Sequence, residues 1–257
     1  MKQTALVTGA SAGLGVEFAR QLAARGHDLV LVARREERLK EVASELSQSH
    51  PVHVTCFAAD LAQRDAPEAI ESFVRERGIT VDWLVNNAGS AGPHLLDDRD
   101  WAEQAAFFEL MMVSVAQMCH RFIPGMRERG FGRVINVASF AARIPRPAGA
   151  NYGPAKAYVV ALSEELALDL RGTGVFVSAL CPGFTHTEFH EAAGLEEMKS
   201  GLPSFIWYGA PTVVREGLEA VDAGKAIRIS GRLYRWLDPF TQSVWTRPLL
   251  KRFSPGR

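Results

Sequence analysis

Tyr152 and Lys156 stand four residues apart, a spacing that puts both on one face of a helix. An unperturbed phenol titrates near ~10, so a tyrosine that passes protons at neutral pH needs a cation beside it. Lys156 can be that cation. Such pairs are also found as plain surface neighbours, so this one gains meaning only from what accompanies it. Ser139 lies thirteen residues before Tyr152, just after an apolar run that reads as a strand. Open α/β sheets bind their ligands at the carboxyl ends of strands.

Near the N-terminus, Ala5-Leu6-Val7 runs into Thr8-Gly9-Ala10-Ser11-Ala12-Gly13-Leu14-Gly15. Glycine admits positive φ, and absent side chains let a pyrophosphate reach backbone N–H groups at a helix start, where the dipole also favours it. The same glycines would serve a plain strand-to-helix turn; their place directly after the first strand favours the phosphate. The second apolar run ends Val32-Ala33-Arg34-Arg35. NAD-preferring sites put an acid there, on the ribose 2′-hydroxyl. Here two guanidiniums stand instead, with the charge and fork geometry for a phosphate. Arg34 and Arg35 would also suit a solvated helix start; the functional reading is a 2′-phosphate, hence NADP.

The elements that must hold these residues alternate. Strand-like runs at 5–7, 29–32, 52–57, 83–85, 133–137 and 175–180 are separated by helical patterns at 16–24, 36–46, 68–76, 102–122 and 151–170, the fourth ending near Pro124. Alternation of this kind means βαβ units with right-handed crossovers. The fold class is α/β, a single-domain doubly wound Rossmann fold over residues 1–257 with a central parallel sheet. The rhythm breaks over 183–210, an aromatic stretch with Gly and Pro that reads as a substrate lid, about 184–210.

Four motifs in this order resemble a classical short-chain dehydrogenase/reductase over at least residues 3–190: Thr8-Gly9-x-x-x-Gly13-x-Gly15, Asn86-Asn87-Ala88-Gly89, Ser139, and Tyr152-x-x-x-Lys156. Pro182-Gly183 with Thr187 downstream is a fifth. The resemblance implies hydride transfer between NADP(H) and a carbonyl or alcohol, with an apolar substrate hinted at by the aromatic stretch. It implies that Tyr152 exchanges a proton with the substrate oxygen. Lys156 would bind the nicotinamide ribose and depress the Tyr152 pKa, and Ser139 would steady the carbonyl. Ser11 and Leu14 belong to the glycine loop. Asp60, in Ala59-Asp60-Leu61, would meet the adenine amino group. Asn87, Ala88 and Gly89 would border the cofactor, as would Pro182 and Gly183, and Thr187 would touch the carboxamide.

One position departs from the family. Thirteen residues before a proline like Pro124 the family has an asparagine that holds a water linking the lysine to solvent; here stands Met111, a weak acceptor at best. Ser114, on roughly the same face, is the candidate replacement. A cofactor-binding regulator without strong catalysis is the alternative that Met111 supports.

Lys plus Arg and Asp plus Glu are both 29, which argues against nucleic acid as a partner. No apolar run approaches the ~20 residues that span a bilayer. The three separated cysteines, Cys56, Cys119 and Cys181, fit a reducing cytoplasm. His186 and His190 lack the H-E-x-x-H order, so no metal is expected. The aromatic and basic tail, about 233–257, reads as a docking or homo-oligomer contact; the membrane-surface alternative would make the chain a reductase of acyl-chain substrates.

Overall fold

Alternating side chains explain how the sheet is built. In β1 (Thr4–Thr8), Ala5 and Val7 face one side and Leu6 the other, and β2 (Asp28–Ala33) repeats this with Leu29 and Leu31 against Val30 and Val32. Both sides are buried, as a parallel sheet requires. This is a computed structural model, and it describes residues 2–144, 151–186, 203–246 and 248.

From β1 the chain runs outward through α1 (Gly13–Ala24), β2, α2 (Glu36–Ser49) and β3 (Val54–Ala58). α3 (Ala66–Glu76) carries it back to β4 (Trp83–Asn86), on the other side of β1. Then come α4 (Trp101–Phe108), a π-helical turn (Glu109–Val113), α5 (Ser114–Glu128), β5 (Gly132–Val137), α6 (Tyr152–Asp169) and β6 (Val175–Cys181). Short strands β7 (Thr185–His186) and β8 (Tyr208–Gly209) pair with each other, and α7 (Ala210–Asp222), β9 (Ile227–Ile229) and α8 (Arg232–Gln242) follow. The main sheet has the order β3-β2-β1-β4-β5-β6-β9, all parallel. The order reverses between β1 and β4, and a crevice opens there at the carboxyl ends.

Phe18, Leu22, Leu39 and Leu218 cover one face of the sheet; Ile70, Met118 and Phe122 cover the other. Burying each such side chain stabilises the fold by roughly 1.5–3 kcal/mol. A buried polar ladder crosses the second layer. Asn86 Nδ2 donates to Asn136 Oδ1 at 2.9 Å, Asn136 Nδ2 to Ser163 Oγ at 3.0 Å, and that hydroxyl to the Val159 carbonyl at 2.7 Å. Satisfied at every link, it fixes α6 against β4 and β5.

The structure departs from the expected elements at several points, among them α7 (Ala210–Asp222), a helix in a stretch where none was expected. A seventh strand, β9, closes the sheet; it is three residues long, with Arg228 in its middle, too short for a periodic signal. The long helix passes through Pro124 to Glu128. Proline forfeits one helical bond, but Phe122, Ile123 and Met126 are buried on either side and hold the helix together.

Candidate active site

The glycine loop is shaped by close approach. Gly9 and Gly13 have φ of 66° and 52°. A β-carbon on Gly15 would fall 2.1 Å from the Gly9 carbonyl oxygen, so only glycine fits where α1 leaves the loop. Thr8 and Asn87 brace it: Thr8 Oγ accepts from the N–H of Asn87 at 3.0 Å and of Ala88 at 3.1 Å, and Asn87 Nδ2 donates to the Thr8 carbonyl at 2.9 Å. Asn87 thus joins β4 to the loop across the switch point. Sequence reasoning missed the bracing role of Thr8.

At the far end, Ala33 closes β2 and Arg34 and Arg35 are exposed. The Arg35 guanidinium is held to the loop, donating to the Ser11 carbonyl at 3.0 Å and to Ser11 Oγ at 3.3 Å. Asp60 follows β3 and accepts from the Ala62 N–H at 3.1 Å.

Ser139 lies two residues after β5, in extended backbone (φ −166°), and its hydroxyl caps a 3-10 turn (Phe140–Ala142) by accepting from the Ala141 N–H at 3.1 Å. Tyr152 opens α6, and Lys156 Nζ lies 5.9 Å from the centre of its ring. Lys156 is buried, and its ammonium donates to the Val137 carbonyl at 2.7 Å. Burial pushes its pKa down to about 8.

One continuous cleft of about 700 Å³ joins these groups. Gly9, Ser11, Gly13, Leu14, Arg34, Arg35, Asp60, Leu61, Asn87, Ala88, Gly89, Ser139, Tyr152, Lys156, Pro182 and Gly183 all line it. Gly15 stands behind the loop and shapes it. Thr187 and the greater part of the expected lid, 187–202, lie outside the described residues. His186 stacks on Trp207 at 5.2 Å, and His190 falls outside the described residues.

Met111 is buried in the π-helical turn, and the Ser90 N–H points at its sulfur at 3.4 Å. A β-carbon on Gly89 would lie 3.2 Å from that sulfur and 3.7 Å from Lys156 Nζ, so the thioether packs where glycine and lysine meet. The Ser114 hydroxyl donates to the Leu110 carbonyl at 2.8 Å, while its own N–H bonds Glu109. The serine's proton is thereby engaged within its own helix.

Sequence reasoning did not foresee the wall opposite. Phe140, Ile144, Phe184, Tyr234 and Leu237 line the cleft beyond Ser139. Tyr234, Leu237 and Thr241 recur at i, i+3 and i+7 along α8, a helical period that the tail's sequence does carry. On α8's outer side Trp236 is exposed and pairs with Phe240 at 5.4 Å; Val244 and Trp245 beyond it are exposed too.

A model of the short chain dehydrogenase family matches residues 3–197. The chain belongs to this family. Sulfoacetaldehyde reductase 2 of Chromohalobacter salexigens is 37% identical over 191 residues, 74% of this chain and 75% of that one. A putative ketoacyl reductase of Streptomyces coelicolor is 35% identical over 205 residues, 78% of this chain and 76% of that one. Among solved structures, a short-chain dehydrogenase of Sphingobium yanoikuyae in complex with NADPH superposes with a TM-score of 0.82 at 30% identity, over 98% of this chain and 96% of that one. The short-chain dehydrogenase fold is thus the doubly wound α/β sheet expected from the alternating elements. Like its relatives the chain is an oxidoreductase of the carbonyl/alcohol type. Among the described residues no helix is long and apolar enough to cross a membrane.

Proposed function

We infer that this short-chain dehydrogenase reduces neutral carbonyl compounds with NADPH, in the cytoplasm. The observation that carries the reading is the single cleft that runs from two arginines, through a glycine loop, to a serine, a tyrosine and a buried lysine. The residues fit the dinucleotide: the Gly15 position admits no β-carbon, α1 presents its N-terminus, and Ala33 leaves the ribose end to Arg34 and Arg35. The glycine loop and α1 would hold the pyrophosphate, the arginines the 2′-phosphate and Asp60 the adenine. Bound there, the cofactor supplies the hydride.

The chain's own groups handle the proton. Ser139 Oγ, fixed by its backbone cap, donates its hydrogen to the substrate oxygen and offsets the charge growing there. Tyr152 Oη gives its proton to the same oxygen. The Lys156 ammonium makes the phenol acidic enough to do so. Its bond to the Val137 carbonyl sets its position. With a pKa of about 8 the lysine stays charged at neutral pH. Met111 offers only a thioether and the Ser114 hydroxyl donates to the Leu110 carbonyl, so neither side chain supplies an amide to a water beside the lysine.

Neutrality of the substrate follows from the far wall. Among the described lining residues the charged ones are Arg34, Arg35 and Asp60 at the nucleotide end, and Lys156. A sulfonate of the kind named in the relative from Chromohalobacter would call for a cation near Ser139. Arg143, next to the serine's turn, is taken by Asp238 at 2.8 and 2.9 Å. The free thiols Cys56, Cys119 and Cys181 support a reducing compartment.

A panel of neutral ketones and aldehydes, with sulfoacetaldehyde as the anionic comparison, tests the reading by following NADPH oxidation spectrophotometrically. Turnover of neutral substrates with NADPH preferred to NADH is the expected result. Faster turnover of sulfoacetaldehyde, or equal use of both cofactors, contradicts it.

A further inference from the structure

Tyr234 is held more firmly than a wall residue needs to be. Its hydroxyl accepts from the Phe184 N–H at 3.2 Å and donates to the Ile206 carbonyl at 2.9 Å, so one phenol ties β7's approach to the 3-10 turn Ser204–Ile206. Its ring lies on Gly183: a β-carbon there would come within 2.0 Å of the ring. On another side it meets Phe140, with centres 4.9 Å apart. The residue is 6% exposed, yet it lines the same cleft as Ser139 and Tyr152.

The helix that carries it is fixed at both ends. At the start, Glu216 accepts from the Gly231 N–H and Ser230 hydroxyl at 3.0 Å each, and from Arg235 at 2.9 Å. Near the end, Asp238 accepts from Nε and Nη2 of Arg143, and Gln242 Nε2 donates to the Arg143 carbonyl at 2.8 Å. Arg143 directly follows the turn that Ser139 caps. α8 and the Ser139 turn are thereby tied to each other through Arg143, with the Tyr234 ring packed against Phe140 of that turn.

We propose that Tyr234 determines specificity: its immobilised ring, with Leu237 one turn on, limits the bulk of the carbonyl substituent that lies beside Ser139. The proposal rests on the carbonyl-reductase reading above and deepens it. A rigid ring cannot step aside, so substituents that overlap it are refused, and flat or slender apolar ones are accepted. Apolar pockets discriminate by ~10–200-fold for a single methylene, and a whole ring should exceed the lower figure.

The test compares 2-butanone with benzophenone under NADPH, in the unmodified protein, in Tyr234→Ala and in Leu237→Phe. Tyr234→Ala is expected to raise the benzophenone to butanone ratio of kcat/KM by roughly tenfold or more. Leu237→Phe, which narrows the same wall, should lower the ratio, and it stands as the second reading if Tyr234→Ala does not fold. NADPH Kd, measured by fluorescence titration, should change less than about twofold in Leu237→Phe, whose side chain would not touch the nucleotide end. A uniform fall of kcat/KM for both ketones, with the ratio unmoved in both variants, overturns the proposal and leaves the reductase reading intact. No NADPH turnover by the unmodified protein with any carbonyl overturns that reading and this proposal with it.

Discussion

Lys156→Met should make the protein more stable while removing its activity. Moving the ammonium from water to its buried site lowers its pKa from 10.5 to about 8. At 1.36 kcal/mol per unit this costs the fold about 3 kcal/mol whenever the lysine is charged in both states. Methionine has no charge to desolvate and a similar length. It gives up the bond to the Val137 carbonyl, which returns about 1 kcal/mol. A net gain of about 2 kcal/mol corresponds to roughly 4–8 °C in Tm for a chain of this size. The pH dependence carries the sign. Below pH 8 the lysine is protonated whether folded or not, and the full cost is present. Between about 8 and 10.5 the folded protein has lost the proton while the unfolded chain keeps it, so the unmodified protein gains stability as pH rises. The gap between the two proteins should therefore be widest at pH 7 and close toward pH 10. Thermal melts from pH 7 to 10 would show this. If the unmodified protein melts higher than the variant at pH 7, or if the gap does not change with pH, the burial argument fails.

Three further outcomes follow from the geometry. Arg34→Ala should raise the NADPH Kd by about tenfold or more and leave the NADH Kd nearly unchanged, by fluorescence titration; equal shifts would remove the arginine from cofactor choice. Met111→Asn sets an amide among Phe107 and Ala155, and should lower Tm by several degrees, for a loss of about 1–3 kcal/mol; a higher kcat without that loss would restore the asparagine relay. Asp238→Asn breaks the paired contact to Arg143, and should cost about 1–2 kcal/mol in chemical denaturation while lowering kcat through the Ser139 turn; an unchanged kcat would separate α8 from that turn.

Most of the sheet was legible because each strand run is short, apolar and flanked by a helix of ordinary length. β9 was not: three residues with a central arginine carry no period. The continuation past Pro124 was hidden because a proline normally ends a helix, and only the burial of Met126 and its neighbours shows why this one does not. Within the site, Tyr152, Lys156 and Ser139 announced themselves by spacing, as the glycine loop did by its place after β1. Tyr234 did not. Its position depends on a fold-back of α8 that is fixed by Glu216, Arg143 and Asp238, and those contacts are long-range in sequence. Met111 was flagged by its type, but its packing between Gly89 and Lys156 needed coordinates.

Tyr152→Phe tests the central claim most directly, because it removes one oxygen and keeps the ring. On a ketone that the unmodified protein reduces, the variant should lose kcat by roughly 10²–10⁴-fold, the range for a removed general acid. Its NADPH Kd, by fluorescence titration in the same preparation, should stay within about threefold. A variant that keeps near-normal kcat would show that the proton comes from elsewhere, and the roles given to Lys156 and Ser139 would fall with it.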